Sequence, residues 1–169
     1  MNTRRVALIV LLLVVPVLLL AADVLNPKDV LMMKRVNSAV ISPNGDWIAY
    51  TVSVPREASD KAGSAYSELY VMSPKTKEVR PFIVGKENVF SVAWKPDGSA
   101  LTFIAARGEG ATPQVWMIPI DGGEAVQLTR AETGVSYFAW SPAGDKLAYL
   151  SVSPKTAREK KLESSGYGF

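Results

Sequence analysis

Short stretches of alternating apolar and polar residues recur along this chain of 169 residues, separated by turn-forming residues. Three of them share one pattern: an apolar run leads into Pro and Gly, and an alternating run that ends in an aromatic residue follows. Alternation predicts half-buried strands, and Pro with Gly two residues later predicts a tight turn between them. We therefore predict three hairpins, over 39–50, 92–103 and 138–149.

The hairpins repeat at a regular distance, since Pro43, Pro96 and Pro142 of their turns are 53 and 46 residues apart. The segments between the hairpins predict a third and a fourth strand for each of the first two repeats: 68–73 and 78–82, then 114–120 and 124–129. Four strands per unit at this period are typical of β-propeller blades. A β-sandwich of repeated hairpins is the alternative, but it gives no reason for the same turn to return once in four strands.

The pattern predicts an all-β chain, namely a partial β-propeller with two full four-stranded blades and half of a third, preceded by a signal peptide and a short helix. Asn26 as helix cap and Pro27 as first helical residue predict that helix over about 27–35. The predicted divisions are a signal peptide over 1–22, a linker with the helix over 23–36, and an incomplete propeller over 37–169, with blades at about 37–83, 88–129 and 135–169. Since a closed propeller needs at least four blades, we expect the chain to be the front part of a longer protein.

The first 22 residues have the layout of a secretory leader. Two arginines precede an uncharged apolar run over 6–20, and two alanines follow it. The run is shorter than the roughly 20 residues of a membrane span and contains Pro16. We predict export to the periplasm or the extracellular space. An uncleaved N-terminal anchor is the alternative, because Leu20 is large for its place before a cut after Ala22.

The composition excludes several kinds of chemistry. The chain has no His and no Cys, so it offers no Ser-His-Asp triad, imidazole metal ligand, thiolate nucleophile or disulfide. Of the net charge of +3, Arg4 and Arg5 in the predicted leader supply two. The nearly neutral remainder gives no electrostatic reason to expect nucleic acid as a partner, and we expect a membrane partner only if the leader is uncleaved.

Four tryptophans and a few polar residues are candidates for binding. Three of the tryptophans fall at or beside repeat-equivalent strand positions, which favours packing between blades over a stacking surface for sugars or peptides. The four tryptophans are Trp47, Trp94, Trp116 and Trp140. Asp97 and Asp121 lack the Asp-x-Asp-x-Asp spacing of a calcium loop, and Gly108 with Gly110 lacks the helix of a phosphate loop. The acids interspersed over 155–161 favour a solvated loop or helix over a basic contact patch. The polar stretch over 55–65, which contains Gly and Ser, favours a solvated loop over a rim loop that touches a partner. We assign no catalytic, cofactor-binding or metal-binding residue.

The repeats resemble the WD40-like repeats of the TolB type, as in Trp94-Lys-Pro-Asp-Gly-Ser-Ala-Leu-Thr-Phe103. The Gly-His and Trp-Asp dipeptides of true WD40 blades are absent. The order of the segments is more specific: the leader is followed by residues 26–36 and then directly by the hairpin over 38–52. This order resembles the start of exported serine peptidases of the prolyl oligopeptidase family, in the acylaminoacyl and dipeptidyl peptidase branches. The resemblance covers about residues 26–162.

The resemblance implies a propeller of seven or eight blades that caps an α/β-hydrolase domain and restricts access to short or unfolded peptides. The family's Ser-Asp-His triad lies in the hydrolase domain, and no Gly-x-Ser-x-Gly occurs in this chain. We expect the N-terminal part of an exported serine peptidase, with peptide substrates, the remaining blades and the missing hydrolase domain as partners. A noncatalytic TolB-like propeller that binds proteins in the cell envelope, and a self-sufficient chain that shares blades between copies, are the alternatives.

Overall fold

The computed structural model describes residues 25–108 and 110–166, and the predicted leader lies outside these ranges. In chain order the elements of these residues are helix α1 (Pro27–Leu31), strands β1 (Arg35–Ile41), β2 (Ile48–Val54), β3 (Tyr66–Met72), β4 (Val79–Ile83), β5 (Phe90–Trp94), β6 (Ala100–Ala105), β7 (Gln114–Pro119), β8 (Val126–Gln127), β9 (Tyr137–Trp140) and β10 (Leu147–Leu150), and helix α2 (Ala157–Ser164). In the ranges described, neither helix has the length and apolar character needed to cross a membrane.

The strands form three antiparallel sheets in which each strand pairs with the next one along the chain. Sheet 1 has the order β1-β2-β3-β4, sheet 2 the order β5-β6-β7-β8, and sheet 3 pairs β9 with β10. Short connections between antiparallel neighbours allow this meander to form locally. The two four-stranded sheets and the two-stranded third sheet confirm the predicted fold class.

The first hairpin of each sheet closes with the predicted Pro-x-Gly turn. In sheet 1 the amide of Gly45 donates to the carbonyl of Ser42 at 2.9 Å, and Gly45 has a φ of 74°. A left-handed conformation of this kind costs glycine little, because it has no Cβ. The turns of sheets 2 and 3 repeat this bond between Gly98 and Lys95 and between Gly144 and Ser141.

Sheet 2 lies between sheets 1 and 3, and its strand β6 is buried over its whole length. One apolar cluster joins sheets 1 and 2 and includes Leu69, Val71, Leu101 and Phe103. A second cluster joins sheets 2 and 3 and consists of Ile104, Val115, Val135 and Phe138. Because neighbouring residues of a strand point to opposite faces, sheet 2 contributes alternate residues to the two clusters. Stacking of sheets face to face in this way is how propeller blades pack.

Helix α1 is shorter than the predicted span of 27–35. Its start is as expected: the side chain of Asn26 accepts from the amide of Asp29, and the carboxylate of Asp29 accepts from the amide of Asn26, both at 3.0 Å. The helix ends at Leu31, and by Arg35 the chain is already paired with β2. The prediction of helix up to residue 35 was therefore wrong, since strand pairing takes over there.

Strand β8 is also shorter than the predicted 124–129, and a side chain explains the difference. After Gln127 the amide of Val115 donates to Oγ1 of Thr129 at 2.9 Å, where a continuing ladder would use a backbone carbonyl. The buried side chain of Gln114 also accepts from this hydroxyl, at 2.8 Å. Beyond β8, the hydroxyl of Thr129 thus takes the place of a backbone acceptor for β7, and Gln114 holds that hydroxyl in position.

Candidate functional site

The repeat-equivalent residues Trp94 and Trp140 join neighbouring sheets. The indole nitrogen of Trp94 in sheet 2 donates to the carbonyl of Val40 in sheet 1 at 3.1 Å. The indole nitrogen of Trp140 in sheet 3 donates to Oγ1 of Thr102 in sheet 2 at 3.0 Å. The same sequence position therefore supplies both apolar area and one hydrogen bond to the preceding sheet, which confirms the predicted packing role.

The other two tryptophans also pack against the core that joins sheets 1 and 2. An arginine lies over each ring: the guanidinium of Arg80 lies 4.7 Å from the ring centre of Trp47, and that of Arg107 lies 5.0 Å from the ring centre of Trp116. Such cation–π contacts are worth about 0.5–1 kcal/mol at exposed sites. The indole nitrogen of Trp116 further donates to the carbonyl of Ala105 at 3.0 Å. These rings serve packing, and the alternative of a stacking surface is not supported.

The carboxylate of Asp97 is occupied within its own turn. One oxygen accepts from the amide of Ser99 at 2.9 Å and from its hydroxyl at 2.6 Å, and the other accepts from the ammonium of Lys95 at 2.5 Å. The hydrogen bond from Lys95, followed by those from Ser99, holds the pKa of Asp97 well below its usual range. Asp121 is exposed in a turn, and within 25–108 and 110–166 no three side chains of the metal-binding types come together.

The charged stretch predicted as a solvated loop or helix forms α2, which buries no residue. The side chain of Thr156 accepts from the amide of Glu159 at 3.3 Å, and the carboxylate of Glu159 accepts from the amide of Thr156 at 2.7 Å. Lys155 pairs with Glu163 at 2.6 Å. The basic residues of this segment are interspersed with acids and lie in solvent, so they form no concentrated positive surface.

Two hollows lie at the end of the sheets where the first strands β1, β5 and β9 begin. The first hollow, between sheets 1 and 2, has a volume of about 460 Å³ and is lined by Asn37, Ser38, Thr51, Ser64, Ala65, Ser67, Asn88, Val89, Phe90 and Ser91. The second hollow, between sheets 2 and 3, has a volume of about 330 Å³ and is lined by Phe90, Pro113, Thr133, Gly134, Val135, Ser136 and Val152. Phe90 is the one residue that lines both.

An irregularity in β5 places Phe90 and Ser91 at these hollows. Phe90 pairs with Ile104 and Ala93 with Thr102, so β5 contains one residue more than its partner between the two pairs. Ser91 in this bulge has a φ of 51°, an uncommon conformation for a residue with a Cβ. Phe90, in this edge strand of the central sheet, is 41% exposed.

The loop over 55–65, which borders the first hollow, folds around one arginine. Arg56 donates to the carbonyls of Ser64 at 2.6 Å and Lys61 at 3.0 Å, and to the hydroxyl of Tyr66 at 2.7 Å. Asp60 pairs with Lys86 of the linker between sheets 1 and 2, and the hydrogen bond from Lys86 lowers the pKa of Asp60. The predicted loop is therefore an organised wall of the first hollow.

A buried carboxylate stabilises the linker between sheets 1 and 2. It lies on the face of sheet 1 that is opposite the first hollow. Glu68 is 8% exposed, and its two oxygens accept from the hydroxyl of Tyr70 at 2.7 Å and from the amide of Gly85 at 2.8 Å. The hydrogen bond to Glu68, with burial as the second cause, raises the pKa of Tyr70 to about 12. Both oxygens thus have donors within the chain, which indicates a structural role for this acid.

The residues around the hollows were not predicted as a site. The repeat alignment places Asn37, Phe90 and Ser136 in one row, and this row is the signal that could have drawn attention to this end of the sheets. Hydroxyl, amide and apolar groups of this kind can bind neutral molecules, but they supply no general base or activated nucleophile.

Taken together, the stacked four-stranded sheets and their repeated turns define this chain as part of a β-propeller. Comparison with solved structures agrees. The chain matches the structure of TolB from Acinetobacter baumannii with a TM-score of 0.51 and 22% identity, over 68% of this chain and 26% of that one. It matches the β-propeller domain of the Trilobed protease from Pyrococcus furiosus with a TM-score of 0.54 and 16% identity, over 70% of this chain and 34% of that one.

The curated relatives found by sequence are peptidases. The chain is 32% identical over 119 residues to the uncharacterized peptidase YuxL of Bacillus subtilis, and 27% identical over 130 residues to dipeptidyl-peptidase 5 of Porphyromonas endodontalis. These matches cover 70% and 77% of this chain and 18% of each relative. No family model matches. Peptidase relatives and propeller neighbours are consistent with the propeller region of the prolyl oligopeptidase family that the repeats resemble.

Proposed function

We propose that this chain supplies propeller blades to an exported serine peptidase of the prolyl oligopeptidase family, and that an α/β-hydrolase domain outside these 169 residues carries the catalytic triad. The observation that carries the proposal is the similarity to two peptidases, of which the chain spans 18% each. The absence of His from the chain agrees with a role in which the blades do no chemistry themselves. In this role the stacked sheets restrict which peptides reach the catalytic serine.

Export is part of the proposal and rests on the charge and hydropathy pattern of residues 1–22. Fractionation of cells that express the intact protein should place it in the periplasmic or extracellular fraction. Sequencing of its N-terminus then separates a cleaved leader from an uncleaved anchor. Recovery of the protein in the cytosol with an intact N-terminus would contradict export.

The peptidase proposal is tested on the intact protein that contains this chain. We expect it to react with a fluorophosphonate probe, which labels activated serines, and to hydrolyse short peptide amides. Replacement of the labelled serine by Ala should abolish both reactions, which controls for contaminating peptidases. An intact protein that is neither labelled nor active would contradict the proposal and would favour the noncatalytic propeller suggested by the likeness to TolB.

A further inference from the structure

We infer that the two hollows on either side of Phe90 bind an extended, uncharged segment of a peptide. The inference rests on the proposed peptidase function, because it assigns a substrate class to the propeller of such an enzyme. Its structural basis is independent of the catalytic residues, since every contributing group belongs to the described part of this chain.

The position of Phe90 suits an extended chain. Phe90 lines both hollows and is 41% exposed, so a ligand that reaches from one hollow to the other can contact it. Side chains two residues apart in an extended peptide point the same way and lie about 7 Å apart. That spacing allows two side chains that are two residues apart in the peptide to lie on either side of Phe90, with one in each hollow.

The chemistry of the lining selects for neutral groups. Charged residues make up 21% of the chain, yet the linings of the two hollows contain none. A charged ligand group would lose water on binding there without gaining an opposite charge, which costs more than the loss of water from a peptide main chain or a Ser, Thr or Ala side chain. The inferred ligand is therefore a peptide without Asp, Glu, Lys or Arg at the two positions beside Phe90.

Hydrogen-bonding groups are available in the first hollow. The hydroxyls of Ser38 and Thr51 bond to one another at 2.9 Å. By contrast, Asn37, Asn88 and Ser91 are exposed, and within the described ranges their side chains take part in no hydrogen bond with the rest of the chain. An incoming main chain can use these donors and acceptors without breaking a bond within the protein.

The experiment uses the intact protein with its reactive serine blocked by a fluorophosphonate. The probe is a fluorescently labelled, end-capped heptapeptide of Ala, Ser, Thr and Val, and a second probe carries Asp at two central positions. Binding is measured by fluorescence anisotropy. We expect the neutral probe to bind at least tenfold more tightly than the acidic one.

Variants locate the binding site. Phe90→Asp should weaken binding of the neutral probe about tenfold, because it removes the ring and introduces a charge between the hollows. Ser91→Gly should weaken it about threefold while keeping the fold, since Gly adopts the φ of 51° without strain. Tyr137→Asp is the matched control: Tyr137 is 56% exposed on the first strand of sheet 3 but lines neither hollow, so binding should change less than twofold.

Three outcomes would overturn the inference. These are equal binding of the two probes, unchanged binding by folded Phe90→Asp and Ser91→Gly, or equal losses in Phe90→Asp and Tyr137→Asp. Hydrolysis of a short chromogenic dipeptide by unblocked protein separates the two proposals. If Phe90→Asp impairs the dipeptide as much as the heptapeptide, this end of the sheets contacts another domain and the inference fails. If the parent protein hydrolyses no peptide, the proposed function fails, and the anisotropy data still judge the hollows.

Discussion

The bond between Trp140 and Thr102 provides a direct test of how neighbouring sheets are joined. Thr102 is fully buried, and its hydroxyl accepts from the indole nitrogen of Trp140 at 3.0 Å. Trp140→Phe keeps an aromatic ring but removes the donor, which leaves a buried hydroxyl without this partner. Such a loss costs about 1–3 kcal/mol.

Removal of both partners should cost less than the sum of the two single changes. Thr102→Val alone keeps the shape of the side chain but deprives the indole nitrogen of its acceptor, at a cost of about 1 kcal/mol. In the double variant no polar group is left without its partner. We therefore expect a coupling of about 1 kcal/mol between the two substitutions, as for residues in direct contact.

Hydrogen exchange of the intact protein measures the loss of stability, and the coupling between the two substitutions, in the strands that carry Thr102 and Trp140. A loss of about 1–3 kcal/mol in the free energy of opening corresponds to exchange about 5- to 150-fold faster in peptides that cover β6, β9 and β10. Trp47→Phe, which alters a ring packed against the cluster between sheets 1 and 2, should leave exchange in the peptides that cover β9 and β10 unchanged. Strictly additive effects of Trp140→Phe and Thr102→Val would refute the reasoning, because they would show that the hydrogen bond contributes nothing to the contact between the sheets.

Two further predictions concern backbone space and ionisation. Gly134→Ala should lower the free energy of unfolding by about 1–3 kcal/mol more than Gly45→Ala. Both residues have a positive φ, but only at Gly134 would the new Cβ lie 3.0 Å from the ring of Pro113. Equal shifts of the thermal unfolding midpoint in the two variants would contradict this prediction. Ultraviolet titration should give Tyr70 a pKa of about 12, and Glu68→Gln should lower it. Because the folded state holds this proton more tightly, the stabilisation is present below about pH 10 and is lost as the pH rises towards 12; an unchanged titration in Glu68→Gln would contradict that assignment.

The repeats could be predicted from sequence because each rests on a local rule. Pro43 and Gly45 define a turn by their own backbone preferences, and the same residue types in the other two repeats do the same. Trp94 and Trp140 occupy the same position in the second and third repeats, which predicted that they pack between blades. What the alignment could not supply is the atom that each indole contacts, since Val40 and Thr102 lie in the preceding sheet.

The hollows could not be predicted because they depend on non-local geometry. Phe90 is of a residue type that usually lies in a core, so nothing in the sequence indicates its exposure. The bulge beside it forms only when β5 and β6 are paired. The shortened β8 has a similar origin, because Thr129 replaces a backbone acceptor with its side chain. In both cases the chain departs from its regular pattern where partner strands, and not nearby residues, decide the conformation.

The first repeat differs from the other two in a way that bears on how a further blade would attach. At the position of Trp94 and Trp140 it carries Ile41, which is 69% exposed. The face of sheet 1 that includes Ile41 also exposes Val36 and Val79, and within the described ranges no sheet covers it, whereas sheet 2 is covered on both faces. An apolar surface of this kind is normally buried. A blade that packs there, as the proposed function requires, would be held by apolar contact without the indole hydrogen bond that ties the other sheets together, because Ile41 has no donor to offer.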